Sequence, residues 1–431
     1  MRSGDTIVAL SSGAPPSGVA VIRLSGPAVQ AILATISGKL PLPRQLTLRP
    51  IGTDSVLDRG LIAFFPGPHS FTGEDCAELQ VHGSPAGVRA ILKLVTGQGA
   101  RLAEAGEFTR RAFENGKLDL VEIEGLGDLL EAETENQRRQ AMARFEGGLS
   151  RQIDNWRNRL LDLRAEIEAN LDFSDEGDVG NTLPEGFASD ISELRESIAT
   201  AIASITHGRI VREGIRVALA GVPNAGKSSL LNALAKSDIA IVTDEAGTTR
   251  DVREVPLDIN GQLFILLDLA GLRETDSKAE AEGVRRAHLA IEQADIVLWL
   301  LAPDQNNDAP PQVTAPLLRI ATKSDVAVID AAHDLSVSST TGQGISELLT
   351  RLHQIGETLG SGEPALVSRE RDRLALASAH ASLIETSELL SEPELAAEAL
   401  RRTSMALERL VGRMDAELVL DRLFSSFCIG K

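Results

Sequence analysis

Cysteine is nearly absent from this 431-residue chain: Cys76 and Cys428 are the two there are, far apart in sequence. They exclude a disulfide framework and a C-x-x-C metal pair. The seven histidines are scattered, with no spacing that builds a zinc site. Long apolar runs are missing as well. The most apolar stretch, "DIVLWLLAP" at 295–303, is far too short to cross a bilayer. The N-terminal "MRSGDTIVALSSGAPP" has no basic region followed by a long apolar segment, so no secretion signal is read there. The cytoplasm is the expected compartment, without a membrane partner. Basic residues are outnumbered by acidic ones, 43 to 62. A net charge of −19 argues against a general nucleic-acid coat, though a local basic face can still grip RNA.

What is present divides into four textures. With 43% hydrophobic residues the chain has material for several cores. Residues 1–117 mix short strand-like runs with turns ("DTIVAL", "GVAVIRLSG", "RGLIAFFPGP", "CAELQVHG"), which reads as an α+β domain. Residues 118–209 carry helical stripes: Leu149, Ile153, Trp156, Leu160, Leu163, Ile167 and Leu171, then Ile191, Leu194, Ile198, Ile202 and Ile205. Residues 210–362 alternate helices with buried strand-type runs, "IRVALAG", "LFILLDLAG", "DIVLWLLAP" and "LLRIAT". Helical spacing returns over 363–431, at Leu400, Leu407, Val411, Met414 and Leu418. Two helical blocks around an α/β block suggest one bundle split by an inserted nucleotide domain.

"GVPNAGKSS" at 221–229 fits G-x-x-x-x-G-K-[ST], and it lies between a strand and a helix, the context the motif requires. Gly221 and Gly226 let main-chain N–H groups turn toward phosphate oxygens at a helix N-terminus. Lys227 is expected at the β- and γ-phosphates and Ser228 on Mg²⁺. Further pieces follow in GTPase order. Thr249 in "GTTRD" is a second Mg²⁺ ligand. In "DLAG", Asp268 lies near the metal and the Gly271 amide near the γ-phosphate. In "TKSD", Asp325 accepts from the guanine edge and the Lys323 stem packs on the base. "SSTTG" at 338–342 is the last base-contacting loop. Thr322 stands where Asn is usual, which predicts a weaker hold on guanine. Leu272 follows "DLAG" and cannot orient the attacking water, so another group must. Asn224 is either the holder of a monovalent cation beside the phosphates or an asparagine favoured by a turn.

The combined pattern resembles the MnmE (TrmE) family of tRNA-modification GTPases. It rests on "FTGEDCAELQVHG", "GEFTRRAFENGKLDLVEIEGLGDLLEAET", "GVPNAGKSSLLNAL", "IVTDEAGTTRD", "DLAGLRET" and the terminal "FCIGK". The resemblance implies a multi-domain α/β and α fold: an N-terminal folate-binding domain that dimerises (1–117), a discontinuous helical domain (118–209 and 363–431), and an inserted Ras-like G domain (210–362). The last has a parallel-type sheet with helices on both faces. It implies a homodimer that works with an FAD-dependent MnmG-type flavoprotein. Together they place an aminomethyl-type group on carbon 5 of the wobble uridine of certain tRNAs. A tetrahydrofolate derivative, in its 5-formyl or 5,10-methylene form, supplies the one-carbon unit.

The family's roles fall on matching residues. GTP is held by Asn224, Ala225, Gly226, Lys227, Ser228 and Ser229, by Thr243, Asp244, Glu245, Ala246, Gly247, Thr248 and Thr249, and by Asp268, Leu269, Ala270 and Gly271. Thr322, Lys323, Ser324 and Asp325, with Ser338, Ser339 and Thr340, complete the set. K⁺ is bound by Asn224, Thr243, Glu245 and Thr248, and Glu280 orients the water. Folate falls to Arg23, Glu78, Lys117 and Lys431. Cys428 sits where a prenylation box would put its cysteine, but Lys431 is an odd final residue for one and no polybasic segment precedes it. The resemblance instead implies a tail reaching the folate site, with Cys428 part of the chemistry. A ribosome-assembly GTPase of the Era type is the competing reading. It would carry an RNA-binding module in place of the first 117 residues, and no RRM or KH pattern appears there.

Overall fold

The computed structural model describes residues 4–172, 186–222, 224–241, 253–268, 289–303, 309–360, 364–413, 423, 424, 427 and 430. The chain forms two compact units, Met1–Gly127 with Ser404–Lys431, and Asp128–Thr403.

The first unit is built on a six-stranded sheet. Its elements are β1 (Thr6–Leu10), β2 (Ser17–Ser25), α1 (Val29–Ser37), β3 (Thr47–Gly52), β4 (Val56–Phe65), β5 (Cys76–Gly83), α2 (Pro85–Gly97), β6 (Ala100–Leu102), α3 (Glu107–Glu114) and the start of α4 (Leu120–Glu131). The strand order is β3-β4-β5-β2-β1-β6, antiparallel except for the parallel β1–β6 pair. Alternation along the strands decides the faces. Ala20, Ile22 and Leu24 of β2, with Ala77, Leu79 and Val81 of β5, enter a core shared with Ile32 and Leu33 of α1 and Ile91 of α2. Arg23 and Glu78 are register partners and point to the opposite face. Near the end of the chain, Phe424 and Phe427 pack on Ile123, and the Ser11 hydroxyl donates to the carbonyl of Gly430.

The second unit contains α5 (Glu135–Phe145), α6 (Gly148–Asp172), α7 (Phe187–Ala203), α8 (Ile205–Glu213), β7 (Ile215–Gly221), α9 (Lys227–Ala235), β8 (Arg253–Ile259), β9 (Gln262–Asp268), β10 (Ile296–Leu301), β11 (Leu317–Ala321), β12 (Leu335–Ser336), α10 (Ile345–Gly360), α11 (Glu370–Glu388) and most of α12 (Pro393–Leu410). Its sheet runs β12-β11-β10-β7-β9-β8, parallel throughout except for β8 at the edge. The four apolar runs read from the sequence are β7, β9, β10 and β11. They are buried on both sides, Val217, Leu219 and Leu298 in one core and Ala218, Ala220 and Val297 in another. The edge strand β8 escaped the sequence reading because "REVPLDI" carries charges and Pro256, which an edge strand tolerates.

The stripe from Leu149 to Ile167 is buried on α6, and the Trp156 ring N–H donates to Ser197 Oγ of α7 at 2.9 Å. Ile205, read as part of the α7 stripe, lies on α8, because the chain breaks at Ser204, whose hydroxyl bonds back to the Ala201 carbonyl. Val411 lies in the turn after α12; Met414 and Leu418 lie outside the described residues. α5 has no apolar stripe. Instead Gln140 donates to the carbonyls of Gly208 and Ala365, and Arg144 pairs at 3.0 Å with Asp372, both side chains fully buried. Among the described residues no helix is long and apolar enough to cross a membrane.

Candidate functional site

The phosphate loop grows from the end of β7. Gly221 has φ +135°, and a Cβ there would lie 2.4 Å from the Leu300 carbonyl of the neighbouring strand. Only glycine lets the two strands stay so close. Asn224 takes φ +63° and is exposed, a left-handed position that asparagine tolerates better than most residues. Gly226, at φ +91°, is the N-cap of α9. Lys227 opens that helix, and its ammonium donates to the carbonyls of Gly221 and Val222 at 2.7 and 2.9 Å. The positive end of the loop is thereby folded onto its own backbone. Ser228 Oγ donates to Asp268 Oδ2 at 2.9 Å, which joins the start of α9 to the end of β9. A hydroxyl and a carboxylate in contact are hard oxygen donors, the set Mg²⁺ takes. Ala225 is buried and Ser229 exposed on the same turn.

The opposite rim follows β11. Thr322 is buried; its hydroxyl lies 2.7 Å from the Ala225 carbonyl and 2.9 Å from that of Leu301. The side chain that replaces the usual Asn is therefore engaged with the phosphate loop. Lys323 has φ +56°, and Asp325 is exposed. The Ser324 N–H donates to the Val337 carbonyl at 3.2 Å, bringing "TKSD" beside "SSTTG". Ser338, fully buried, accepts from the N–H groups of Thr340 and Thr341 at 3.3 and 3.1 Å. Ser339 is half-buried and Thr340 exposed. The loop at 221–229, the end of β9, "TKSD" and "SSTTG", separate in sequence, thus meet at one end of the parallel sheet. Thr243, Asp244, Glu245, Ala246, Gly247, Thr248, Thr249, Leu269, Ala270, Gly271 and Glu280 lie outside the described residues.

The first unit holds a second constellation. Arg23 Nε and Nη2 both donate to Glu78 Oε1, at 3.2 and 2.9 Å. The guanidinium carbon lies 5.6 Å from the Phe71 ring centroid and 5.9 Å from that of Phe108. These are cation–π distances. Lys117 is exposed, with its stem against Gly73. Cys428 and Lys431 lie outside the described residues. Phe71 and Phe108 were not singled out from the sequence. A visible signal was the aromatic that opens "FTGED", but its pairing with Arg23 depends on β2 lying beside β5.

Charge braces the wall of this constellation. Arg111, nearly buried, bonds Asp5, Glu74 and Glu107, and Arg101 bonds Asp5 and Glu107. Burial pushes the Asp5 and Glu107 carboxyls upward, but hydrogen bonds from Arg101 and Arg111 outweigh it and hold both below their usual range.

Comparison with known proteins places the chain. The model described as "GTP-binding protein TrmE N-terminus" matches residues 6–117, and the MnmE helical domain matches residues 120–428. The tRNA modification GTPase MnmE of Azorhizobium caulinodans is 50% identical over 436 residues, covering 100% of both chains. That of Rhizobium johnstonii is 48% identical over 99% of both. Among solved structures, the G domain of the T. maritima FeoB iron transporter is 23% identical. It covers 33% of this chain and 98% of that one, with a TM-score of 0.24, too low to carry weight. Matched by family models along nearly its whole length, and half identical to full-length relatives, the chain belongs to the MnmE (TrmE) family of GTPases.

Proposed function

We propose that this GTP hydrolase acts in tRNA modification, at carbon 5 of the wobble uridine, together with an FAD-bearing MnmG-type partner. The observation that carries the proposal is the presence in one chain of two unlike sites: a phosphate loop joined through Ser228 to Asp268, and an arginine–carboxylate pair whose guanidinium lies over two aromatic rings. A switch alone needs only the first. The second suits a reduced folate: Glu78 Oε2 and Arg23 Nη1 offer an acceptor and a donor to a pterin edge, Phe71 offers a face, and Lys117 and Lys431 suit the glutamyl tail. Bound folate would supply the one-carbon unit. Cys428 is assigned to that site.

In the nucleotide site Lys227 brings its charge to the β- and γ-phosphates, and Ser228 with Thr249 would hold Mg²⁺, which neutralises charge on the phosphates. Asp325 reads guanine. Asn224, with Thr243, Glu245 and Thr248, would hold K⁺ in the role an arginine finger plays elsewhere, and Glu280 orients the water. Hydrolysis is expected to rise when K⁺ replaces Na⁺, and Asn224→Ala to remove the difference. Equal rates in both salts would count against the cation role.

A homodimer fits the outer face of the β3–β4 hairpin. Leu48 and Leu61 are register partners and both exposed, with Leu42 and Leu46 exposed just before β3. The whole reading is tested by nucleoside analysis of bulk tRNA from a deletion strain. Loss of the wobble modification, restored by the intact gene and not by Arg23→Ala, is expected; normal modification in the deletion strain overturns it.

A further inference from the structure

Behind the Arg23–Glu78 pair stands a second row of polar side chains with no part in GTP hydrolysis. Ser25 and Cys76 are register partners, two residues along from Arg23 and Glu78, so all four lie on one face of the sheet. Ser25 and Thr72 are fully buried. Ser25 Oγ lies 2.7 Å from Thr72 Oγ1 and 2.6 Å from Glu74 Oε2. A carboxylate only accepts, so Ser25 donates to Glu74 and Thr72 donates to Ser25. Thr72 Oγ1 in turn accepts from the Glu74 N–H at 3.2 Å, with Cys76 Sγ 3.1 Å away. The charge on Glu74 sets the direction of the ladder. Arg111 Nη1 pairs with Glu74, reaching both of its carboxylate oxygens at 3.2 and 3.0 Å.

The ladder holds the loop Phe71–Glu74. Asn115 Nδ2 adds a bond to the Thr72 carbonyl at 2.7 Å. Gly73, at φ +80°, passes so close to Lys117 that a Cβ would lie 3.2 Å from its Cε. One short loop thus sets the ring beside Arg23 and the space beside Lys117.

We propose that Glu74 is a positioning residue for the reduced-folate site. It acts through Ser25, Thr72 and Arg111 to hold Phe71 against Arg23 and Gly73 against Lys117, and rests on the folate reading above. The full-length chain is titrated calorimetrically with 5-formyltetrahydrofolate and with a reduced pterin lacking the aminobenzoyl-glutamate tail. The wild type binds both. Glu74→Gln keeps size and loses charge, and weakens both ligands by about tenfold, the scale of one lost charge-assisted hydrogen bond. Lys117→Ala weakens the folate alone. Partial unfolding lowers the number of sites and not their affinity, so weakening at full stoichiometry separates positioning from damage. GTP hydrolysis stays at the wild-type rate. Ser25→Ala, which removes one hydroxyl, weakens both ligands by several-fold and serves if Glu74→Gln does not fold. Wild-type affinity in both variants overturns the positioning role and leaves the folate reading standing. Weakening of the folate without the pterin by Glu74→Gln also overturns it. A wild-type chain that binds neither ligand overturns the folate reading and the inference together.

Discussion

The nucleotide site and the Arg23–Glu78 site are made of different materials. Around the phosphate loop the main chain does most of the shaping. Three of its residues, Gly221, Asn224 and Gly226, have positive φ, and Lys227 is fastened to carbonyls of its own loop. Around Arg23 the shaping is done by side chains from distant segments: Glu78 on β5, Phe71 in a loop, Phe108 on α3, and the Arg111 cluster behind them. A site made of main chain tolerates exchange of exposed side chains and fails when a glycine is lost. A site made of charged side chains fails when the charges change.

The largest test of that contrast is Gly221→Ala. The new Cβ meets the Leu300 carbonyl in a conformation alanine avoids, so the second unit loses about 2–4 kcal/mol and nucleotide binding falls with it. Hydrogen exchange resolved by peptide should show the loss in β7 and β10 and none in β1–β6. Next comes Lys227→Ala. It lowers GTP turnover by a factor on the order of a hundred or more while both units keep their exchange protection. Collapse of the second unit would mean that Lys227 is a structural cap.

A third test is acid. Asp5 and Glu107 are held below their ordinary values of 3.8 and 4.5, so the folded state binds fewer protons there than the unfolded one. Their contribution is fully present above those values and is lost as pH falls through the lowered folded ones. Protection from exchange around α3 and β1, measured against the intrinsic rate at each pH, should therefore fall below pH 4.5, and Glu107→Gln should flatten the response. The smallest effect is reserved for Arg401→Ala. Its partner Glu398 is likewise on the surface, both half exposed, and the melting temperature should not move measurably.

How far these features were legible before any fold was known follows the same division. The phosphate loop, "TKSD" and "SSTTG" are each contiguous, and a loop that is to meet a phosphate or a base must present neighbouring groups at fixed spacing. The helical stripe on α6 was equally readable, because one buried face recurs every three or four residues. The break at Ser204 was not, since an isoleucine just beyond it keeps the rhythm while the chain changes direction. Thr322 read as a loss for guanine; its engagement with Ala225 emerges only when β11 is laid beside the loop.

Sequence alone determined that the chain is a GTP hydrolase, the alternation of helices and strands in the second half, and the family, because each rests on local spacing or on many short motifs taken together. Tertiary structure decided that Arg23 faces Glu78 with its guanidinium over the rings of Phe71 and Phe108, and that Arg111 braces the loop beside them. The order β3-β4-β5-β2-β1-β6 pairs β2 with β5 across an intervening helix and two strands. No periodicity within either strand carries that choice. It is made by burial of Ile22, Leu24, Ala77 and Leu79 in one core, which turns Arg23 and Glu78, the charged residues between them, to the same opposite face.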